Sequence, residues 1–141
     1  MAGKADRAAI EKAQQVLYEE GTKLRQEVFG LQHIASSKSL SSFQQPLQTM
    51  AVTAGWAMCW TRPGLERKTR SLLCLVMLAV LGRDHELGVH VRGAIHNKCT
   101  EEEIREALFQ VSVYAGVPAA LNATRVAETV LDSMKSEGQL E

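Results

Sequence analysis

The ten residues 72–81, LLCLVMLAVL, decide the fold that the sequence predicts. A helix through this stretch is apolar on every side, which is typical of a helix surrounded by other helices rather than lying on a surface. We therefore predict that it forms the centre of the fold and that Gly82 ends it. The stretch is only about half as long as a membrane-spanning helix, so we expect no membrane segment.

Helical signals continue upstream. Apolar residues recur at near-helical spacing from residue 7 to 29, which predicts an amphipathic helix with one buried stripe. The serine-rich residues 33–43 predict a turn. Ser41 or Ser42 can cap the helix that follows, and Pro46 then falls in its first turn, where the missing N–H costs little.

Downstream, each helix boundary has its own signal. TRPGL, residues 61–65, interrupts the chain because proline bars the preceding residue from the helical region. Asp84 is an expected N-cap, and TEEE, residues 100–103, is a capping box with acids at the positive end of the next helix dipole. Pro118 opens the last helix, and the tail 135–141 is expected to fray.

Composition sets the class of protein. The chain has 141 residues, 45% of them hydrophobic, so we predict one all-α domain over residues 1–141, with about six helices and a core at about residues 15–133. Lysine plus arginine equals aspartate plus glutamate at 16 each, which predicts no nucleic-acid or membrane partner. With no signal-peptide pattern and three scattered cysteines, a reducing, cytoplasmic location is expected, and zero net charge is compatible with an oligomer.

The chemistry concentrates in ELGVHVRGAIHNKCT, residues 86–100. Glu86 and His90 are four residues apart, so on a helix they share a face, and the carboxylate can orient the imidazole and raise its pKa. This is how a general acid or base near neutral pH is made. The alternative is a surface ion pair without catalytic meaning, and spacing alone favours that alternative.

The sequence gives weaker support for metal binding and for thiol chemistry. His85, Glu86, His90 and His96 do not form a strong metal motif, so we predict no metal. Cys99 stands near the positive end of a helix, which can lower a thiol pKa, but without a resolving cysteine it is expected to be inert.

Arginines and aromatics are the remaining candidates. Arginine can grip a substrate carboxylate with two hydrogen bonds, although a solvated or salt-bridged role is the more frequent one for any single arginine. Aromatic side chains are core or interface residues by default, and a tyrosine can also donate a hydrogen bond. The candidates are Arg62, Arg67, Arg70, Arg92, Trp56, Trp60 and Tyr114.

Four ordered blocks resemble the signature blocks of the carboxymuconolactone decarboxylase family. They are WTRPGLERKTRSL from Trp60, ELGVHVRGAIHN from Glu86, TEEEIREAL from Thr100 and VYAGVPAALNA from Val113. GTKLRQEVFG from Gly21 also resembles the opening helix of that family. The resemblance implies a small all-helical fold, shared with the alkylhydroperoxidases, that assembles into trimers or hexamers with active sites near subunit interfaces.

The resemblance also implies an activity: cofactor-independent decarboxylation of a carboxylated unsaturated lactone. In that reaction His90 would be the acid and Glu86 would orient it. Arg62 and Arg70 would bind a second carboxylate or the lactone oxygens, and the further substrate-binding residues are Trp60, His96 and Tyr114.

The chain departs from the family pattern at several positions. Peroxidase relatives carry cysteines at the places of Arg83 and Glu86, so a peroxidase role is rejected. Met58 stands where an acid is usual, and His96, Asn97 and Lys98 stand where N-N-G is usual. A changed substrate, such as an aromatic polyketide-derived acid, is therefore expected. The alternatives are an isomerase or cyclase of a polyketide-like substrate and a non-catalytic oligomeric binding protein.

Overall fold

The computed structural model describes residues 5–31 and 40–140, which are helical and contain no strand. This confirms the all-α prediction. The chain divides into two compact units, Met1–Pro63 and Gly64–Glu141. None of the helices in the described ranges is long and apolar enough to cross a bilayer.

The first unit begins with helix α1, Arg7–Phe29. Asp6 caps it, since its side chain accepts a hydrogen bond of 3.1 Å from the backbone N–H of Ala9. Gly30, at φ 81°, ends it in a conformation that favours glycine.

Helix α2, Gln45–Met50, continues directly as a π-helix, Ala51–Trp60. Pro46 lies in the first turn of α2, as predicted. The predicted cap is wrong: the N-cap position is held by Gln44, with no side-chain cap, because the Ser41 carbonyl instead accepts the N–H groups of Gln44 and Gln45 in a tight turn. Most of the predicted serine-rich turn lies outside the described residues.

Helix α1 packs tightly on the π-helix. At Gly21 the two backbones are so close that an added Cβ would lie 2.5 Å from the Val52 carbonyl oxygen. Next to this contact, the Phe29 and Trp56 rings meet edge to face with their centroids 4.9 Å apart, and Trp56 and Trp60 are 4.8 Å apart. The close backbone approach at Gly21 and the packing of the aromatic rings together stabilise the first unit.

The second unit has four helices: α3, Arg67–Val80; α4, Asp84–His96; α5, Glu101–Tyr114; and α6, Val117–Ser136. Thr100 and Glu103 form the predicted capping box at the start of α5. Asp84 is the first residue of α4 and not its cap, which is Arg83.

Helix α3 is buried on one side only. Leu75 is 0% exposed and Ala79 is 5% exposed, whereas Leu73, Met77 and Val80 are 47%, 55% and 51% exposed. The prediction that α3 is surrounded on every side is therefore wrong within this chain. Its inner side packs on a core that α4, α5 and α6 complete with Leu87, Val91, Ala94, Ile104, Leu108, Val111, Ala123, Ala127 and Leu131.

Candidate active site

Helix α4 carries the candidate acid–base pair. Leu87, Val91 and Ala94 form its fully buried stripe, at the spacing of one helical face. His90 lies beside that stripe and is partly buried, and Glu86, one turn earlier, is exposed. The imidazole therefore stands at the border between the core of the second unit and solvent, and the carboxylate lies on its solvent side.

Three polar contacts fix α4 in the second unit. Asn122 of α6 donates a hydrogen bond of 2.8 Å to Asp84 at the start of α4. At the other end, Asn97 donates one of 3.0 Å to Ser71 of α3, which is 1% exposed. Arg92 provides the third contact. Anchors at both ends limit the sliding and rotation of α4, and so fix the place of His90.

The Arg92 contact is a clamp on the end of the chain. Its two terminal nitrogens each donate a hydrogen bond of 3.0 Å to a Glu137 oxygen, and further bonds reach Ser133 and Gln139. Up to residue 140 the tail, which the sequence predicts to fray, has this clamp and the packing of Leu140 against the core as contacts. Sequence patterns missed the contact because Arg92 and Glu137 are 45 residues apart.

The clamp should make the end of α6 sensitive to acid. Hydrogen bonds from Arg92, and then from Ser133, lower the pKa of Glu137 below its ordinary value of 4.5. A lowered carboxyl pKa stabilises the fold above 4.5 and loses that contribution as the pH falls through the folded-state pKa. We therefore expect the melting temperatures of the wild type and Glu137→Gln to converge as the pH falls below about 4.5. Glu128→Gln, on α6 but outside the clamp, is the control; a constant gap for Glu137→Gln would contradict the prediction.

The other predicted residues are distributed over both units. In the first unit, Trp60 is buried against Trp56, and Arg62 is exposed. In the second unit, Arg70 is only 9% exposed, near the start of α3, while Tyr114 is 81% exposed.

Two of the second-unit residues can be placed relative to His90. The Ser71–Asn97 hydrogen bond joins the residue after Arg70 to the end of α4, seven residues beyond His90. His96 is exposed and follows His90 by six residues, so the two rings point about 120° apart. The structure thus does not bring His96 onto the face of His90.

Two of the residues that depart from the family pattern can be described in the structure. Met58 is 60% exposed on the π-helix. Lys98 has φ 68°, a conformation in which glycine is unstrained, so lysine here carries a backbone cost.

The nearby helix end does not lower the pKa of the Cys99 thiol. Burial, and then the negative charge of Glu103, raise the pKa of this thiol to about 11. The positive helix end is already occupied by the Thr100–Glu103 capping box. Cys99 is thus a buried thiol whose Sγ lies 3.6 Å from the Lys68 carbonyl oxygen. In the ranges 5–31 and 40–140, no three His, Cys, Asp or Glu side chains are grouped as a metal site would require.

Comparison with known proteins finds a matching family model and several proteins that are similar to this chain. The model of the carboxymuconolactone decarboxylase family matches residues 45–129, which include α4. Nitrosuccinic acid decarboxylase npaB of Metarhizium robertsii is 38% identical over 124 residues, 87% of this chain and 87% of that protein. A 4-carboxymuconolactone decarboxylase of Acinetobacter baylyi is 38% identical over 118 residues, 83% of this chain and 88% of that protein. An uncharacterized 15.0 kDa protein of Paracoccus denitrificans is 37% identical over 73 residues, half of this chain and 54% of that protein.

Proposed function

Because the chain belongs to the carboxymuconolactone decarboxylase family, we propose that it is a decarboxylating lyase that uses the acid–base pair of α4. The observation that carries the proposal is the 38% identity, over more than four fifths of the chain, to two proteins named decarboxylases. A substrate that loses carbon dioxide is common to both names, although the two acids differ in the rest of their structure.

Each of the two acids carries a group that can accept an electron pair. When the bond between carbon and carboxylate breaks, its electron pair stays on carbon and must be delocalised. In nitrosuccinic acid the neighbouring nitro group can accept it, and in an unsaturated lactone the conjugated carbonyl can. The enzyme must therefore hold the leaving carboxylate beside such a group, stabilise the developing charge, and supply a proton to carbon.

His90 is the proposed proton donor. As carbon dioxide leaves, the imidazolium gives its proton to the substrate carbon, and the neutral ring recovers a proton from solvent. Its partly buried position supports this role, because a ring at the border of the core can meet both an apolar substrate and water. Glu86, on the same face one turn earlier, is proposed to orient the ring and favour its charged form.

Arg70 is the proposed cationic residue of the second unit. A guanidinium that is 9% exposed acts in a medium of low dielectric, where its attraction for a carboxylate is stronger than in water. On the family resemblance we propose Arg62, Trp60, His96 and Tyr114 as further substrate-binding residues. No metal or organic cofactor is required for these steps, and a cytoplasmic location suits three cysteines that are all free thiols.

Release of carbon dioxide tests the proposal directly. The whole chain, dialysed against a chelator, is incubated with nitrosuccinic acid and with 4-carboxymuconolactone, and carbon dioxide is measured against the substrate consumed. We expect one carbon dioxide for each molecule of at least one of these acids. Consumption without carbon dioxide would favour the isomerase or cyclase alternative, and the absence of any turnover would contradict the choice of these two substrates.

We also propose that the chain forms a homo-oligomer, of the trimer or hexamer type that the resemblance implies. Its support is a cluster of exposed apolar side chains where α5 meets α6: Phe109, Val113 and Tyr114 are 67%, 74% and 81% exposed. We expect sedimentation velocity to show an oligomer for the wild type and a smaller species for Val113→Asp. A monomeric wild type would contradict the proposal. Ser136→Asp, at the exposed last residue of α6 and away from this cluster, is the charge control.

A further inference from the structure

One face of α1 carries three polar side chains in a row. Tyr18, Thr22 and Arg25 follow one another at spacings of four and three residues, so they lie along a single side of the helix over about 10 Å. All three are partly buried. This face borders the one on which Gly21 and Leu24 pack, so it is neither the core side of α1 nor its fully solvated side.

Arg25 has no acidic partner among the described residues. The ion pairs of α1 join Arg7 to Glu11, which lies on the same face but about 20 Å nearer the start of the helix, and Lys23 to Glu20, on another face. Burial lowers the pKa of the Arg25 guanidinium, and the opposing effect comes from Tyr18, not from a carboxylate. A partly buried cation without an anion costs free energy, so its presence requires an explanation.

Thr22, three residues before Arg25 on the same face, also lacks a bonding partner within the described chain. Its hydroxyl oxygen is buried and has no hydrogen-bond partner in the part of the chain that the structure describes. Threonines elsewhere in these helices bond to the carbonyl four residues earlier, as Thr53 does to Thr49 at 3.0 Å and Thr129 does to Arg125 at 2.9 Å. An unused donor next to an unpaired cation is an arrangement that suits an external anion.

We propose that Arg25, Thr22 and Tyr18 form a carboxylate-binding site on α1. The planar guanidinium holds both carboxylate oxygens. The Thr22 hydroxyl, which has two accessible χ1 rotamers in a helix, turns to donate a further hydrogen bond, and the Tyr18 hydroxyl donates at the far end of the row. The choice of a carboxylate over other anions rests on the proposed function. The site itself rests on the unpaired groups.

Binding of succinate, a dicarboxylate without an electron sink, tests the site without requiring turnover. Titration calorimetry and thermal melting are performed on the whole chain at constant ionic strength, with succinate in one arm and inorganic phosphate in the other. We expect succinate to bind the wild type and raise its melting temperature, and phosphate to bind more weakly. We expect Arg25→Met to weaken succinate binding by about tenfold or more, and Arg25→Lys and Thr22→Val to weaken it less.

Stability separates a binding arginine from a structural one. Without ligand, Arg25→Met should melt at the wild-type temperature or above it, because the variant removes an uncompensated charge while keeping an apolar stem. Arg7→Met, which removes an exposed arginine from the same helix, is the matched control and should bind succinate as the wild type does.

The proposal is overturned if the wild type does not bind succinate, if phosphate binds better, or if Arg25→Met binds succinate as tightly as the wild type. Should Arg25→Met fail to fold, wild-type binding by both Arg25→Lys and Thr22→Val would overturn it equally. Failure of the carbon dioxide assay leaves this result unaffected, since succinate is not turned over.

Discussion

Replacement of His90 by glutamine should lower turnover by about 10²- to 10⁴-fold while the helical content and the sedimentation of the protein stay those of the wild type. Glutamine is close to histidine in size and can still hydrogen-bond, but it cannot give a proton to carbon at neutral pH. Since His90 is only partly buried and lies outside the fully buried stripe of α4, the packing of Leu87 and Val91 should survive the change.

The helix itself offers a control for this experiment. His85 lies on α4, five residues before His90, and is exposed. His85→Gln therefore removes an imidazole from α4 but leaves the proposed acid, His90, unchanged. Both variants are compared by kcat and KM, by circular dichroism and by sedimentation. We expect the loss in His90→Gln to fall on kcat. If His90→Gln turned over as fast as His85→Gln, α4 would lose its proposed role.

Local signals in the sequence were sufficient for most of the fold. A capping box needs only Thr100 and Glu103, three residues apart, and it forms as predicted. Pro46 and Gly82 likewise act through their own backbone preferences. Such signals involve residues that are neighbours both in sequence and in space, so one sequence contains all the information they need.

Contacts between distant residues were not accessible in this way. Nothing near Arg92 indicates that Glu137 will meet it, and the same holds for Ser71 and Asn97. For the candidate site, helical spacing predicted the shared face of Glu86 and His90. It could not predict their different exposure, which depends on how α3 and α6 pack around α4. The unpaired state of Arg25 is likewise a property of the packed structure.

The largest effect on stability is expected from Gly21→Ala. An added methyl group would lie 2.5 Å from the Val52 carbonyl oxygen and 3.1 Å from the Ala57 backbone nitrogen. Both are backbone atoms of the π-helix, so the clash cannot be relieved by a side-chain rotation, and α1 must move away. Overpacking of this kind costs about 1–3 kcal/mol or more, which exceeds the gain of about 0.5–1 kcal/mol that alanine brings to a helix.

Gly55→Ala is the matched control, because an added Cβ at Gly55 meets no atom within 4 Å. The chain has two tryptophans, and both lie in the first unit, so their fluorescence reports the unfolding of the unit that contains Gly21. In urea titrations followed by this fluorescence, Gly21→Ala should unfold at lower urea than the wild type, and Gly55→Ala at the same concentration or higher. Equal midpoints for the two variants would mean that the backbones of α1 and the π-helix are not in close contact at Gly21.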